Sequence, residues 1–500
     1  MRIVHRNMAL RKQEINARLA PRNWTNQPSP MFAASNIALE VSDRIAATCV
    51  GGIAPVHQMV RHLGLDRKID ETLEVLKRHL PYHESDHVLN IAYNLMAGGT
   101  KLEDLELLRH DAAYMDLLGA QRIPDPTTAG DFLRRLSKSN ITGLMDTVNE
   151  VRVGLWKKQP RRFRKRATLD VDGTIVDTLG EKKDGMGMSY NGIWGYHPLI
   201  VSLANTKEPL YIVNRPGNAA SESGCVPWID KAITLCDQAF DEVWLRGDTA
   251  FSLTKEFDRW TEAGVHFVFG YDAHPNLVAK ANELLESAYT PLRRETREVK
   301  TQPRRKRENT KEEIVFYNGY RKIHLESEAW AEISYQPGSC RRPYRVIILR
   351  KNLSESESDL VLFDNVRYFF YITNNANIRP EDVIFEANDR CDQENVIAQL
   401  KSGINALRVP VNDLMSNWAY MVIASLAWTL KAWFGLTLPD GVDREDVLRM
   451  EFKKFLNYVI RIPCQVIRGA RRLRIRLLGY TERARLLIES LAATRVWDPT

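Results

Sequence analysis

Cysteine is scarce in this chain. There are six in 500 residues, Cys49, Cys225, Cys236, Cys340, Cys391 and Cys464, and no two stand in a C-x-x-C pair. Neither a zinc ribbon nor a dithiol redox motif is therefore suggested, and a reducing cytoplasm suits the chain. An apolar run of membrane length is also missing. The longest candidate, Met415 to Leu430, contains Asn417, stops at Lys431 and reads as a buried core helix. No membrane partner is expected. The N-terminus, MRIVHRNMALRKQE, lacks the apolar centre of a signal peptide. Net charge is modest, with 70 Lys and Arg against 63 acidic residues, a formal +7. No internal repeat is visible.

The basic residues that are present are clustered. Seven of the ten residues from Lys157 to Arg166 are Lys or Arg, and Arg304 to Arg307 are four in a row. From Glu451 to Thr500 there are eleven basic residues against four acidic ones. One such run is as often a solvated face as a binding surface, but three point to a polyanion whose counterions are released on contact.

The chain divides by pattern. Residues 1–40 are a polar arm, Pro-rich at the end of its first thirty residues and read there as loose. Residues 41–166 carry helical periodicity, with Thr100–Glu103 read as a capping box and Thr128–Asp131 as a second helix start. Short helices with tight glycine turns suit a DNA-binding unit and a plain helical bundle equally well. At residue 167 the pattern changes. The runs ATLDVDGTIVDTL, HPLIVSLAN and EPLYIVNRPGN read as a three-stranded antiparallel start, and DEVWLR and VHFVFGYD as further strands separated by helices. Residues 167–274 are thus the first part of an α/β core. Residues 275–385 are a β-rich insertion, 386–440 the second part of the core, and 441–500 a basic C-terminal region.

Three carboxylates stand where such a core brings chains together: Asp172 at the end of the first strand, Asp248 after DEVWLR, and Glu394 on a helix expected over about 389–405. Carboxylates are the ligands that hard divalent cations select, and two such ions roughly 3.5–4 Å apart clamp an in-line phosphoryl displacement. Taken singly, an Asp after a strand is as readily a turn residue. Arg390, Glu394 and Lys401 add to the case. At about 100° per residue they fall within roughly 60° of helical arc, so a carboxylate is flanked by cations on one face. An ordinary Arg–Glu pair explains the first two but leaves Lys401 without a reason.

Arg390-x3-Glu394-x6-Lys401 resembles the YREK signature of bacterial insertion-sequence transposases with an RNase H-like core, although Ala387 stands where that signature has Tyr. Asp172-x-Thr174 and Leu245-Arg-Gly-Asp248-Thr-Ala-Phe251 resemble the first and second Asp motifs of these DDE enzymes. The resemblance is closest to the insertion-sequence family numbered 1380 and spans roughly residues 90 to 480. It implies an α/β, RNase H-like catalytic core with a β-rich insertion behind a helical N-terminal domain. It also implies a cytoplasmic, nucleoid-associated homodimer that binds the double-stranded DNA of the element's terminal inverted repeats, cleaves it and joins it to target DNA. Asp172, Asp248 and Glu394 are then both catalytic residues and ligands of two Mg²⁺ ions, with Mn²⁺ able to substitute. Arg390, Lys401, Arg472, Arg474 and Arg476 are expected to contact DNA, the last three from one face of a strand that Arg471 precedes. Trp330 is either a base-stacking platform or, more commonly for a strand Trp, packing.

Two rival readings remain. Leu169-Asp-Val-Asp-Gly-Thr-Ile-Val-Asp-Thr178 also looks like the first motif of haloacid-dehalogenase-type phosphatases, with Asp170 as nucleophile and Asp172 as general acid. That pattern fails at Ser252, where a second Asp is expected, and it leaves the basic clusters unexplained. The other rival is a catalytically silent, transposase-derived DNA-binding protein, against which the three intact carboxylates argue.

Overall fold

The structure is a computed structural model. It describes residues 2–20, 31–32, 34–35, 37–39, 45–178, 180, 182–294, 322–357, 360–469, 473–478 and 484–496. Arg304–Arg307, Arg471 and Arg472 lie outside these residues.

A single nine-stranded mixed sheet organises the molecule. Its strands are β1 (Ala167–Gly173), β2 (Leu199–Leu203), β3 (Glu208–Val213), β4 (Val243–Gly247), β5 (His266–Tyr271), β6 (Thr290–Pro291), β7 (Lys322–Tyr335), β8 (Tyr344–Glu357) and β9 (Leu360–Thr373). They run in the order β6-β7-β8-β9-β5-β4-β1-β2-β3. β1, β2 and β3 form the expected antiparallel meander, while β4 is parallel to β1 and β5 parallel to β4. The expected α/β core is present, but the insertion is not a separate module. β9 pairs antiparallel with β5, so three fourteen-residue strands extend the core sheet outward. The run 167–179 is likewise not one strand. β1 stops at Gly173, and Val176–Asp177 joins a small second sheet with Trp194–Tyr196 and Gly187–Met188.

Alternation along the parallel strands sorts their side chains onto two faces. Leu169, Val171, Val243, Leu245, Phe267 and Phe269 enter the main hydrophobic core. Trp244 and Val268 point the other way, into a smaller core closed by Val383 and Ile384. The latter pair belongs to a helix over Pro380–Asn388. Asp170, Asp172, Arg246 and Asp248 share the parity of Trp244 and so stand on this second face.

Helices cover both sides. We label α1 (Lys138–Lys157), α2 (Val226–Asp237), α3 (Pro380–Asn388), α4 (Cys391–Ala398) and α5 (Leu414–Thr437). α5 is the apolar helix anticipated from sequence. It is the one described helix long and apolar enough to cross a membrane, and it is wholly buried in protein. Its tryptophans tie it to the β2–β3 hairpin. Trp428 donates to the Lys207 carbonyl (2.6 Å) and Trp433 to Glu208 (2.8 Å), beside the buried Arg152–Glu208 ion pair (2.9 Å). The main core accordingly runs unbroken from the N-terminal helices through α5 into the sheet.

Three local readings need correction. The N-terminal stretch is helical over Arg2–Leu19, not loose. The helical turn after Gly99 is capped by Asp104 rather than Glu103, because its carboxylate accepts from the Thr100 N–H (2.6 Å) and hydroxyl (3.1 Å). The helix expected to open at Thr128 starts at Pro126. Asp125 caps it by accepting the Thr128 N–H (2.9 Å), and proline fits the first helical position because no partner for its nitrogen is needed there.

Candidate active site

Parallel pairing sets Val171 opposite Gly247, so Asp172 and Asp248 come next on neighbouring strands, about 4.8 Å apart in backbone terms. Both lie at the carboxyl ends of their strands, the edge where open α/β sheets bind ligands. The Asp172 side chain is largely buried, and one of its oxygens accepts the Gly173 N–H (2.8 Å). Asp248 caps the short turn Thr249–Phe251 by accepting from the Ala250 N–H (3.0 Å). That is the turn role an isolated Asp is expected to play, and it leaves the second oxygen available.

The third carboxylate arrives from above the same face. Arg390, the residue before α4, reaches Asp172 (3.5 Å) and Glu394 (3.5 Å) and so bridges strand to helix. Lys401 donates to the Ile175 carbonyl (2.8 Å), three residues beyond Asp172. All three members of the helical signature therefore converge on the end of β1, but not by the geometry of one continuous helix. The chain breaks at Asp389–Arg390 between α3 and α4, and Gln399–Gly403 form a π-turn. The wider turn, not the 100° step, sets the direction of Lys401.

The electrostatics are those of an acidic cluster. Burial, then the neighbouring Asp248, push the Asp172 carboxyl up to about 6, with Glu394 adding to the effect and Arg390 opposing it. An all-oxygen donor set whose negative charges strain one another is what a hard divalent cation relieves, so the residues present fit such ions. Among the described residues the only group of three His, Cys, Asp or Glu ligand atoms mutually within 4.8 Å lies elsewhere, so this triad is an open one.

Asp170 has a different environment. It holds Arg246 in a buried two-pronged pair (2.6 and 2.8 Å), one pleat below Asp172 and Asp248. Arg246 also donates to the Glu386 carbonyl (3.2 Å), and the Glu386 carboxylate is gripped by Arg166 (2.9 and 2.8 Å). A carboxylate with both oxygens committed to a buried guanidinium is not a free nucleophile, which removes the basis of the phosphatase reading.

Residues that went unread in the sequence complete the surroundings. His197 hydrogen-bonds through Nδ1 to the Ala219 carbonyl (2.7 Å), which turns Nε2 toward β1. A Cβ on Gly173 would sit 2.6 Å from that Nε2, so glycine is required where His197 meets the strand end. Arg215 donates to the His197 carbonyl (2.9 Å) and, through Nη1, to the carbonyls of Ala220, Ser221 and Ser223. His197 and Arg215 stand at the ends of the runs HPLIVSLAN and EPLYIVNRPGN, which read as strands, and a strand pattern says nothing of what their side chains touch. Trp330 packs against the smaller core, so the packing reading holds for it. Of the tail arginines, Arg474 and Arg476 are exposed on a strand over Leu473–Leu477, and Arg476 donates to Gln465 (3.0 Å).

A mixed sheet bearing two acidic strand ends under an acid-bearing helix is the framework of a DDE-type catalytic domain. The family model for the transposase DDE domain, group 1, matches residues 40–496, and the chain belongs to that family. It is a DNA transposase. No curated protein matches the sequence. Among solved structures the chain is similar to a piggyBac transposase in a synaptic complex with hairpin DNA, determined by cryo-EM, with a TM-score of 0.35 and 10% identity over 83% of this chain and 84% of that one. That likeness is too loose to add to the fold described above.

Proposed function

We propose that this transposase belongs to the YREK branch of bacterial insertion-sequence enzymes, near the family numbered 1380. In this reading it works as a homodimer that binds the element's terminal inverted repeats, cleaves the DNA ends and joins them to target DNA. The observation that carries the reading is the convergence of Asp172, Asp248 and Glu394 on one sheet edge, with Arg390 spanning two of them. Asp172, Asp248 and Glu394 hold two Mg²⁺ ions, or Mn²⁺ in their place. When bound, the ions supply activation of the attacking oxygen and stabilisation of the leaving one.

The remaining roles fall to side chains. Arg390 orients Asp172 and Glu394 and presents a guanidinium to a phosphate arriving at the sheet edge. Lys401 lines a cleft of about 440 Å³ together with Lys101 and Arg408, which Glu103 and Asp177 partly offset, and it is the lysine there that lies nearest in sequence to Glu394. His197, whose pKa burial pushes below the ordinary imidazole value, abuts the strand that carries Asp172 and helps to position its end.

Replacing Glu394 with Gln tests the assignment. Cleavage of labelled end DNA should fall by at least about a hundredfold, because one metal ligand is gone, while end binding in a gel shift stays within about threefold. Cleavage at the wild-type rate would overturn it.

A further inference from the structure

A second group of ligating side chains lies far along the chain from the carboxylate edge. It sits where the loop over residues 73–83 meets the helix Glu84–Ala97. The ligand atoms of His79, His83 and Glu84 all lie within 4.8 Å of one another. His79 Nε2 is 3.0 Å from one Glu84 oxygen, and the two imidazoles stack with centroids 4.3 Å apart. We propose that these three residues form a binding site for a borderline divalent cation of the Zn²⁺ type, separate from the catalytic ions and built to pin the loop to the helix.

Three features support the site. The first is the donor set. Two imidazole nitrogens and one carboxylate oxygen suit Zn²⁺ rather than Mg²⁺, whereas the three carboxylates at the sheet edge suit Mg²⁺. Ligands about 2.1 Å from a tetrahedral ion stand about 3.4 Å apart. The His79–Glu84 pair is already closer than that, so the rest is a small rotation of two exposed imidazoles.

The second is how Glu84 is held. Its side chain is only 1% exposed, and one oxygen accepts the N–H groups of Val75 (3.1 Å) and Leu76 (2.9 Å). The second oxygen, fixed in direction, faces the imidazoles. A ligand oriented by outer hydrogen bonds is the usual construction of a metal site.

The third is local charge. A cation at a helix N-terminus meets the positive end of the macrodipole, and here Glu84 and Asp86 in the first turn offset it. The fourth position of the ion is left to water.

The test uses the full-length protein, with Mg²⁺ in millimolar excess to occupy the carboxylate edge. Isothermal titration with Zn²⁺ should give one site per chain. Co²⁺ as a probe should give the strong visible absorption of tetrahedral nitrogen–oxygen coordination, unlike the weak bands of an octahedral all-oxygen site. His79→Gln and His83→Gln replace half-exposed or exposed side chains and should fold normally by circular dichroism. Each should weaken Zn²⁺ at least tenfold and abolish the Co²⁺ band. Asp172→Asn should leave both intact. Absence of Zn²⁺ binding, or binding lost in Asp172→Asn but kept in the two histidine variants, would overturn the site. Because the readouts are binding and absorption, failure here leaves the catalytic reading untouched, and the reverse holds too.

Discussion

Asp170 and Asp172 point to the same side of one strand, yet what each touches gives them opposite roles. Asp170 is locked to Arg246 in the interior, and removing one member of a buried pair leaves the other charge without compensation. Asp170→Asn should therefore lose about 3–5 kcal/mol in urea denaturation. A double change of both residues to apolar ones of similar size should recover most of that loss. Asp172→Ala, at the sheet edge, should abolish cleavage with a much smaller loss of stability. Equal destabilisation by the two single changes would show that Asp172 is structural too. Spacing alone put both on one side of the strand and the resemblance of Asp172-x-Thr174 singled out Asp172; the partner from β4 supplies the physical difference between them.

His87 is a second residue whose chemistry follows from burial. Its ring stacks on Phe132 (4.4 Å), its Nδ1 is buried without a partner, and burial lowers its pKa from 6.5 to about 4. Between pH 6.5 and about 4 the unfolded chain takes up a proton that the folded chain refuses, so stability is full above this window and drains away as pH falls through it. The loss attributable to His87 is at most about 3 kcal/mol. Denaturation at pH 7.5 and pH 5 should show it, and His87→Gln should flatten the difference. An unchanged pH dependence in the variant would assign the effect to other groups.

At the scale of elements, hydrophobic patterning was the readable part. The meander, β4, β5 and α5 were all legible because alternation and apolar runs are local properties of the chain. The continuity of the sheet was not. β9 joins β5 across a long intervening segment, and no local pattern encodes which edge a strand adopts. The helix expected from about residue 389 does begin there, at Cys391, whereas α3 was hidden because most of it falls in the segment read as β-rich. The candidate triad was legible through its three acidic motifs, whereas Arg246 and His197 acquire their meaning only from tertiary neighbours.

The C-terminal strand pair carries its own prediction. Arg474 and Arg476 alternate with Ile475 and Leu477, which pack inward toward Ala54, Leu117 and Val466. The arginines therefore project from the outer face of a supported strand. If both contact phosphates, Arg474→Gln with Arg476→Gln should flatten the slope of log affinity against log salt by about 1.8, or about 0.9 per contact. An unaltered slope in a salt titration of end binding would place them on a merely solvated face.

Across the whole molecule, the two ends of the sequence complete one structure. Ala47–Thr48 pair with Cys464–Gln465, the Gly51 and Gly52 N–H groups donate to the carbonyls of Ile462 (3.0 Å) and Ile460 (3.0 Å), and Leu486 and Leu487 enter the shared core. The approach is close enough that a Cβ on Gly52 would sit 2.0 Å from the Val459 oxygen. A chain ended after Met450 should therefore lose the cooperative melt of the helical region as well as the tail, read by circular dichroism and limited proteolysis. A truncated chain melting like the full one would refute the coupling. The same closure has a temporal side. At about 5–20 residues per second, tens of seconds separate the synthesis of Gly51 from that of Ile462. Throughout that interval the N-terminal helices have an open flank and no lasting partner for it. A chain that stops before Ile460–Gln465 is thus an unfinished fold rather than a smaller working one, because the N-terminal helices close only once that segment has been made.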